Sequence, residues 1–257
     1  MIGYCSQSEI ECSVSCVLRS RRNDAMDMKK DVSRRNFIKT SIVAGGAALS
    51  APFIVPASVL GVPTRAAPSN RVVLGFIGVG DRGTYILRSA LQEPDAQVVA
   101  VCDVKRDRRE AAAAAVNEYY ENNDCAEYNN FEDIIARGDI DAYCIASCDH
   151  WHVLHALAAV RAGKDVYLEK PMGVSVEEDQ ALRMAVKKHS AMFQFGTQQR
   201  SDRKFRRACE LVLNGRIGKL ETINVWSPQS QSGGPLEQVP VPETLDYDRW
   251  LGPAPYV

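Results

Sequence analysis

The chain has no excess of charge of either sign. Its 257 residues include 31 lysines and arginines against 32 aspartates and glutamates, which gives a formal net charge of −1. Proteins held to nucleic acid by electrostatics carry a basic balance, so binding to nucleic acid is not predicted. The chain is 25% charged and 46% hydrophobic, which is ordinary for a globular protein long enough to bury a large core.

Histidine is scarce, and cysteine has no regular spacing. The sequence has four histidines, and no pattern of histidine, cysteine and carboxylate completes a metal site, so no metal is predicted. We interpret the five cysteines after residue 100 as buried thiols and not as a disulfide framework. They are Cys102, Cys125, Cys144, Cys148 and Cys209.

The most informative stretch present is a short apolar strand, 72–77, that runs directly into a glycine-rich turn. The turn reads Gly78-Val79-Gly80-Asp81-Arg82-Gly83. Asp103 follows twenty positions after the last glycine, at the end of a second predicted strand, 98–102. A strand, G-x-G-x-x-G, a helix and a later acidic residue are typical of dinucleotide-binding folds. The alternative is an ordinary glycine-rich turn, and the surrounding pattern favours the nucleotide site.

Each residue type in this turn has a physical reason for its place. Gly78 allows a tight turn, Gly80 lets the backbone approach a pyrophosphate, and Gly83 lets the helix pack closely on the sheet. The backbone N–H groups and the helix N-terminus then hold the phosphates. The Asp103 carboxylate is suited to the ribose hydroxyls and repels a 2′-phosphate, which favours NAD. Arg106 and its basic neighbours could attract a 2′-phosphate, so NADP is the alternative cofactor.

From residue 71 onward the chain alternates strands and helices. Such alternation predicts an α/β fold of the Rossmann type, with a doubly wound parallel sheet. Further strands are predicted at 142–146, 165–168 and 192–196, and a loop at 122–130. A helix near 84–92 is followed by one with Ala111, Ala115, Val116 and Tyr119 on one stripe. Asp149 is predicted to cap a helix that packs Val153, Leu157 and Val160 inward and ends at Gly163, and Ser175 with Glu178 forms a capping box.

A second candidate site, Glu169-Lys170-Pro171, lies just past the predicted strand 165–168. Open α/β sheets bind ligands at the carboxyl ends of their strands, where a lysine amine can hold a substrate hydroxyl or take its proton. The alternative is a solvated Glu-Lys pair before a turn. The bond before Pro171 is a candidate for the cis form. His150 or His152 is predicted to reach the cofactor or substrate, and Trp151 is predicted to form an aromatic wall. The alternative is that His150 is exposed to solvent and His152 is a hydrogen-bonded packing residue.

The first 70 residues have a different character. Ser33-Arg34-Arg35-Asn36-Phe37-Ile38-Lys39 has the form of a twin-arginine signal, and the uncharged stretch 40–64 follows it. We predict an exported or periplasmic protein with a signal at 28–67 that the twin-arginine machinery reads, with a single membrane anchor as the alternative. Residues 1–27 fit neither part and suggest an over-extended gene start.

Several of these motifs together resemble the Gfo/Idh/MocA oxidoreductases. The resemblance covers about residues 71–257 and is carried by the glycine turn, Cys102-Asp103-Val104, Ser147-Cys148-Asp149-His150-Trp151-His152, the segment from Gly163 through Pro171 and Gly196-Thr197-Gln198-Gln199-Arg200. It implies an NAD(P)-dependent dehydrogenase acting on a sugar or polyol, in a homo-oligomer, with Lys170 in the catalytic position. It also implies that Ser147, His152, Glu169, Lys170 and Gln198 contact the cofactor. Asp149 and Cys148 depart from the family pattern, which has Asn and Pro there.

The resemblance also divides the chain into a cofactor domain at 70–200 and the beginning of a substrate domain at 201–257. We predict a helix at 203–214, with Phe205, Cys209 and Val212 inward, and a first strand at 220–225. The family's second domain is α+β with a mainly antiparallel sheet, and we expect the sequence to be a C-terminally truncated form of such a protein. Two other functions stay open, namely an exported NAD-dependent glycosidase and a non-catalytic nucleotide-binding module. The glycosidase is disfavoured because such relatives often lack the lysine of Glu-Lys-Pro.

Overall fold

Six parallel strands form the centre of the molecule. The computed structural model describes residues 66–226 and 239–256; the predicted signal and the predicted over-extended start lie outside these ranges. The strands are β1 (Val72–Ile77), β2 (Ala96–Cys102), β3 (Ala126–Tyr128), β4 (Ala142–Ile145), β5 (Asp165–Glu169) and β6 (Phe193–Gly196). Their order across the sheet is β3-β2-β1-β4-β5-β6, and all neighbouring pairs are parallel. The predicted doubly wound parallel sheet is confirmed.

Helices cover both faces of this sheet. They are α1 (Asp81–Leu91), α2 (Arg106–Tyr120), α3 (Phe131–Ile135), α4 (His152–Arg161), α5 (Val176–His189), α6 (Arg203–Leu213) and α7 (Tyr247–Leu251). One core lies under α1 and α2, where Phe76, Leu87 and Val116 meet. The other lies under α3, α4 and α5, and Ile145 and Leu182 belong to it. Two buried faces explain why the strands are apolar runs and do not alternate in polarity.

Local signals set several helix ends. The Ser175 hydroxyl accepts a hydrogen bond from the Glu178 N–H at 3.2 Å, which confirms the predicted N-cap of α5. The Glu178 carboxylate accepts from the Val174 N–H at 2.9 Å, one residue before the place that a capping box predicts. The predicted Asp149 cap is wrong, because Asp149 lies in a 3₁₀ turn, Asp149–Trp151, that precedes α4. The N-cap residue of α4 is Trp151, and its side chain makes no capping hydrogen bond. Gly163 follows α4 in the left-handed region, with φ +74°.

Two predictions between β2 and β4 are wrong. The predicted loop at 122–130 contains β3, which is too short for an apolar pattern to reveal and forms by pairing with β2. In α2 the buried residues are Ala112, Ala113 and Val116, whereas Ala111 and Tyr119 are exposed. A run of alanines is equally apolar on every side, so packing on the sheet selects the buried face, and the run itself does not indicate it.

Of the two elements predicted after residue 200, the helix forms and the strand does not. α6 forms, and the Asp202 carboxylate caps it by accepting from the Lys204 and Phe205 N–H groups. Its predicted inward face is exposed, however, with Phe205 at 54% and Val212 at 37%, and Cys209 is likewise an exposed thiol. The predicted strand at 220–225 does not form, because a strand needs a hydrogen-bonding neighbour and the described residues supply none there.

The length and polarity of the helices show whether any of them could cross a membrane. Within residues 66–226 and 239–256, none of the helices combines the length and the apolar character needed to cross a bilayer.

Candidate functional site

A cavity of about 590 Å³ lies at the carboxyl ends of β1, β2 and β4. All strands of the sheet run in one direction, so the residues that follow them meet at this edge. Six of the predicted site residues line the cavity: Gly78, Gly80, Asp81, Arg82, Asp103 and Ser147. The glycine turn, the acidic residue after β2 and the loop after β4 therefore form one site, at the position where open α/β sheets bind ligands.

The three glycines of the turn have different environments. Gly78 has φ +83°, and a Cβ atom there would collide with the Ser147 backbone nitrogen. A Cβ atom on Gly83 would collide with the Gly78 carbonyl oxygen. Gly80, the N-cap of α1, has no atom within 4 Å of the place where a Cβ would stand. The protein's own packing thus requires two of the glycines, whereas the third faces open space that a ligand can use.

Asp103 holds the glycine turn in place. One of its carboxylate oxygens accepts from the Val79 N–H at 2.8 Å, and the other accepts from the Lys105 N–H at 2.9 Å. Each carboxylate oxygen can accept two hydrogen bonds. Asp103 therefore fixes the turn and still has acceptor capacity for hydroxyl groups in the cavity.

A partly buried ion pair joins the glycine turn to the Glu169-Lys170-Pro171 segment. Arg82 donates through Nε and Nη2 to Glu169 Oε1, at 2.9 and 2.7 Å. The Glu169 residue is only 2% exposed, and it also accepts from the Tyr167 hydroxyl at 3.0 Å and the Lys170 N–H at 3.1 Å. Breaking such a pair would leave a buried carboxylate without its cation, which is costly. The Lys170 backbone is thereby held in register with α1.

His152 and Arg106, two of the predicted cofactor contacts that do not line the cavity, have partners elsewhere in the protein. His152 is 1% exposed, and its two ring nitrogens lie 2.5 and 3.0 Å from the carbonyl oxygens of Pro171 and Ser147. The structure therefore favours the alternative that His152 packs the two loops together. Arg106 is exposed at the start of α2, and its N–H donates to the Thr244 carbonyl at 2.7 Å. Lys105 and Arg108 line the cavity in its place.

Lys170 and Gln198 lie at the other end of the sheet edge. The Lys170 residue is exposed just after β5, and the peptide bond to Pro171 is cis, as the sequence suggested. Because β5 is three strand positions from β2, Lys170 lies roughly 14 Å along the edge from Asp103. An extended dinucleotide spans such a distance. The buried Oε1 of Gln198, beside the end of β6, has no hydrogen-bond partner among the described residues.

The sequence reasoning missed most of the cavity's aromatic end. Trp151 lines the cavity as predicted, and it stacks on His155 with ring centroids 4.9 Å apart. Phe131 also packs against His155 and lines the same end. A segment from far along the chain completes it with Pro242, Leu245, Arg249 and Trp250. The only signal for that segment was Asp246 ahead of two aromatic residues, which is the short capped helix α7.

His155 gives the fold a pH dependence. Burial, with smaller contributions from His152 and His150, lowers the pKa of His155 to about 3. The unfolded chain, with a histidine pKa of about 6.5, binds more protons between these two values. We therefore expect the free energy of unfolding to fall as the pH drops below about 6.5, by up to about 1.4 kcal/mol per pH unit from this residue. Urea unfolding at a series of pH values measures that slope.

The matched variant is His155→Gln, which removes the titrating ring and retains a partner for the Ser147 hydroxyl, now 3.0 Å from His155 Nδ1. We expect a shallower slope in this variant over the same range of pH. Equal slopes in the two proteins would contradict the assignment.

Comparison with known proteins agrees with this geometry. Residues 72–197 match the family model GFO_IDH_MocA, described as the oxidoreductase family with an NAD-binding Rossmann fold. The matched range includes the glycine turn, Asp103 and Lys170. It ends before α6 and before the segment that carries Trp250.

Individual relatives have more specific names. A glycosyl hydrolase family 109 protein of Saccharopolyspora erythraea is 37% identical over 57% of this chain and 35% of its own length. A myo-inositol 2-dehydrogenase of Thermotoga maritima is 28% identical over 70% of this chain and 49% of its own length. The crystal structure of scyllo-inositol dehydrogenase from Lactobacillus casei, with bound NAD(H) and scyllo-inositol, superimposes with a TM-score of 0.53 and 27% identity, covering 58% of this chain and 42% of that one. The chain thus spans between about a third and a half of these relatives.

Proposed function

We infer from the match over residues 72–197 that this chain belongs to the Gfo/Idh/MocA oxidoreductase family, and from that premise we propose that it is an NAD-dependent dehydrogenase of a polyol or sugar. The observation that carries the proposal is the Arg82–Glu169 ion pair, which joins the predicted phosphate-binding turn to the segment that bears Lys170. Relatives named as inositol dehydrogenases support the substrate class. NADP remains the alternative cofactor.

The residues present fit a dinucleotide. The open space at Gly80 and the N-terminus of α1 suit the pyrophosphate, and the spare acceptor capacity of Asp103 suits the adenosine ribose. The unpartnered Oε1 of Gln198 is an acceptor for the nicotinamide half. NAD, when bound, supplies the hydride acceptor.

In the proposed reaction Lys170 is the general base. Its amine, when deprotonated, takes the proton from the substrate hydroxyl as the hydride leaves the same carbon, so that a carbonyl forms. Because the residue is exposed, the proton then passes to solvent. Glu169 is buried, and its carboxylate accepts a hydrogen bond from the Lys170 N–H. It is therefore a positioning residue. His152 fixes the turn after Lys170 through the Pro171 carbonyl.

A second candidate function has specific support. Relatives named as glycosyl hydrolase family 109 proteins reach 37% and 30% identity, so an NAD-dependent glycosidase is the alternative. Such an enzyme oxidises the sugar and later returns the hydride, with no net reduction of NAD. The presence of Lys170 favours the dehydrogenase. Nucleotide binding without turnover is the third candidate.

One experiment separates the three candidates. Calorimetry first tests whether NAD binds, and the protein is then incubated with NAD and a panel of inositols, hexoses and aryl glycosides. We expect NADH to accumulate with a polyol or sugar, as measured by its near-ultraviolet absorbance. Release of the aryl group without NADH would instead support the glycosidase, and binding with neither reaction would support the third candidate. No binding of NAD or NADP would contradict the proposal.

We also propose export by the twin-arginine route to the periplasm. Its support is the Ser33–Lys39 motif, with Arg34 and Arg35 as the paired arginines. Homo-oligomerisation remains a proposal that the family resemblance suggests.

A further inference from the structure

A short segment near the C-terminus, 242–252, crosses the mouth of the cavity; we call it the strap. Its backbone pairs with the residues that follow β2, since the Asp246 N–H donates to the Val104 carbonyl at 3.0 Å and the Arg106 N–H donates to the Thr244 carbonyl at 2.7 Å. Lys105 and Leu245 form an antiparallel bridge between these bonds. The strap is therefore attached next to Asp103.

Side-chain hydrogen bonds also attach the strap to the residues that follow β3 and β4. The Asn129 amide donates to the Asp246 carboxylate at 2.7 Å, and Arg249 donates to the Asn130 side-chain oxygen at 2.7 Å. Further along, the Trp250 carbonyl accepts from the Trp151 indole N–H at 3.2 Å and from His150 Nε2 at 2.9 Å. The strap thus bridges the residues after β2, β3 and β4.

Apolar and aromatic side chains form most of the cavity lining beside the strap. Leu245 and Trp250 of the strap line it together with Val104, Phe131 and Trp151 of the sheet domain. Trp250 is 38% exposed, and its ring stacks on Tyr247 at 5.7 Å. A partly exposed indole at the edge of an apolar cavity can gain contact with a flat aromatic ligand.

We propose that the strap forms the outer wall of an adenine site, with Trp250 as its main contact. This inference rests on the proposed function, because it places the adenosine ribose at Asp103. The base attached to that ribose then lies beside Val104 and extends into the apolar end of the cavity. A purine presents two apolar faces, and aromatic side chains hold such faces by stacking. The strap lies outside the residues that match the family model, so the match does not assign this contact.

The test measures nucleotide affinity in Trp250 variants. Trp250→Ala removes the ring but retains the Trp250 carbonyl, which attaches the strap to Trp151 and His150. We expect NAD and ADP-ribose to bind roughly 10- to 100-fold more weakly, and by the same factor, because both contain the adenosine half. Trp250→Phe retains a flat ring and is expected to stay within about threefold of the parent. Calorimetry with each ligand provides the affinities.

A matched control comes from the same part of the chain. Tyr256 is aromatic and 81% exposed, contacts the Tyr247 ring and does not line the cavity, so Tyr256→Ala should leave both affinities unchanged. Thermal unfolding without ligand shows whether Trp250→Ala has disturbed the fold. If it has, the affinities of Trp250→Phe test the proposal in its place. Unchanged NAD affinity in Trp250→Ala would overturn the adenine site and leave the proposed function intact. Equal losses in Trp250→Phe and Trp250→Ala would overturn the stacking contact, whereas a parent protein that binds neither nucleotide would contradict both proposals.

Discussion

Gly80→Val is expected to fold like the parent protein and to bind NAD at least about 100-fold more weakly. Gly80 has φ −63° and ψ −165°, an extended conformation that does not require glycine, and apart from its own chain neighbours no atom lies within 4 Å of a Cβ placed there. The added side chain would instead occupy the space proposed for the pyrophosphate. Losing two backbone contacts to a charged phosphate costs on the order of 3–6 kcal/mol, which corresponds to roughly 100-fold or more. Calorimetry gives the affinity, and thermal unfolding gives the stability.

Gly138→Val is the matched control, because Gly138 also has no atom within 4 Å of a Cβ and lies outside the cavity. It should retain both the stability and the NAD affinity of the parent. If Gly80→Val retains the NAD affinity of the parent, the phosphates do not bind at the glycine turn.

Lys170→Ala is expected to lower kcat for polyol or sugar oxidation by roughly 10²- to 10⁴-fold, the usual contribution of a positioned acid or base. The NAD affinity should change little, because the phosphate and ribose contacts lie at the other end of the sheet edge. Lys170→Arg should be nearly as inactive, since a guanidinium remains protonated and cannot accept the proton. Steady-state rates on whichever substrate the parent oxidises, with NAD titrations beside them, provide the measurement.

The control for this experiment is Lys188→Ala, an exposed lysine in the last turn of α5. A small primary amine added to Lys170→Ala should restore part of the rate, which a merely structural role would not allow. A Lys170→Ala variant with the parent's kcat would show that Lys170 takes no proton in the reaction.

The features that the sequence predicted best depend on local geometry. Gly78 and Gly83 could be assigned because a turn with φ +83° and a close approach of backbone to backbone each exclude a Cβ atom. The apolar strands were evident because both faces of the sheet are buried. Asp103 could be placed at the site because the carboxyl ends of neighbouring parallel strands always meet.

The remaining features depend on contacts between distant parts of the chain. The strap gives little periodic signal, and it meets β2 through backbone hydrogen bonds that any residue type can make. The role of His152 also depends on such partners, because two carbonyl oxygens from separate loops occupy its ring nitrogens. In α6 the pattern predicted an apolar face correctly but not that the face is exposed in the described structure.

The pairing of the strap with the end of β2 has a consequence for how the protein is made. A ribosome delivers the chain from its N-terminus, so all six strands of the sheet are available before residue 242 emerges. The phosphate-binding turn and Asp103 can therefore assemble early, whereas the proposed wall of the adenine site is synthesised only after all six strands. A nascent chain at that stage would hold a nucleotide only loosely, and tight capture would mark the moment when the strap has been synthesised and has docked.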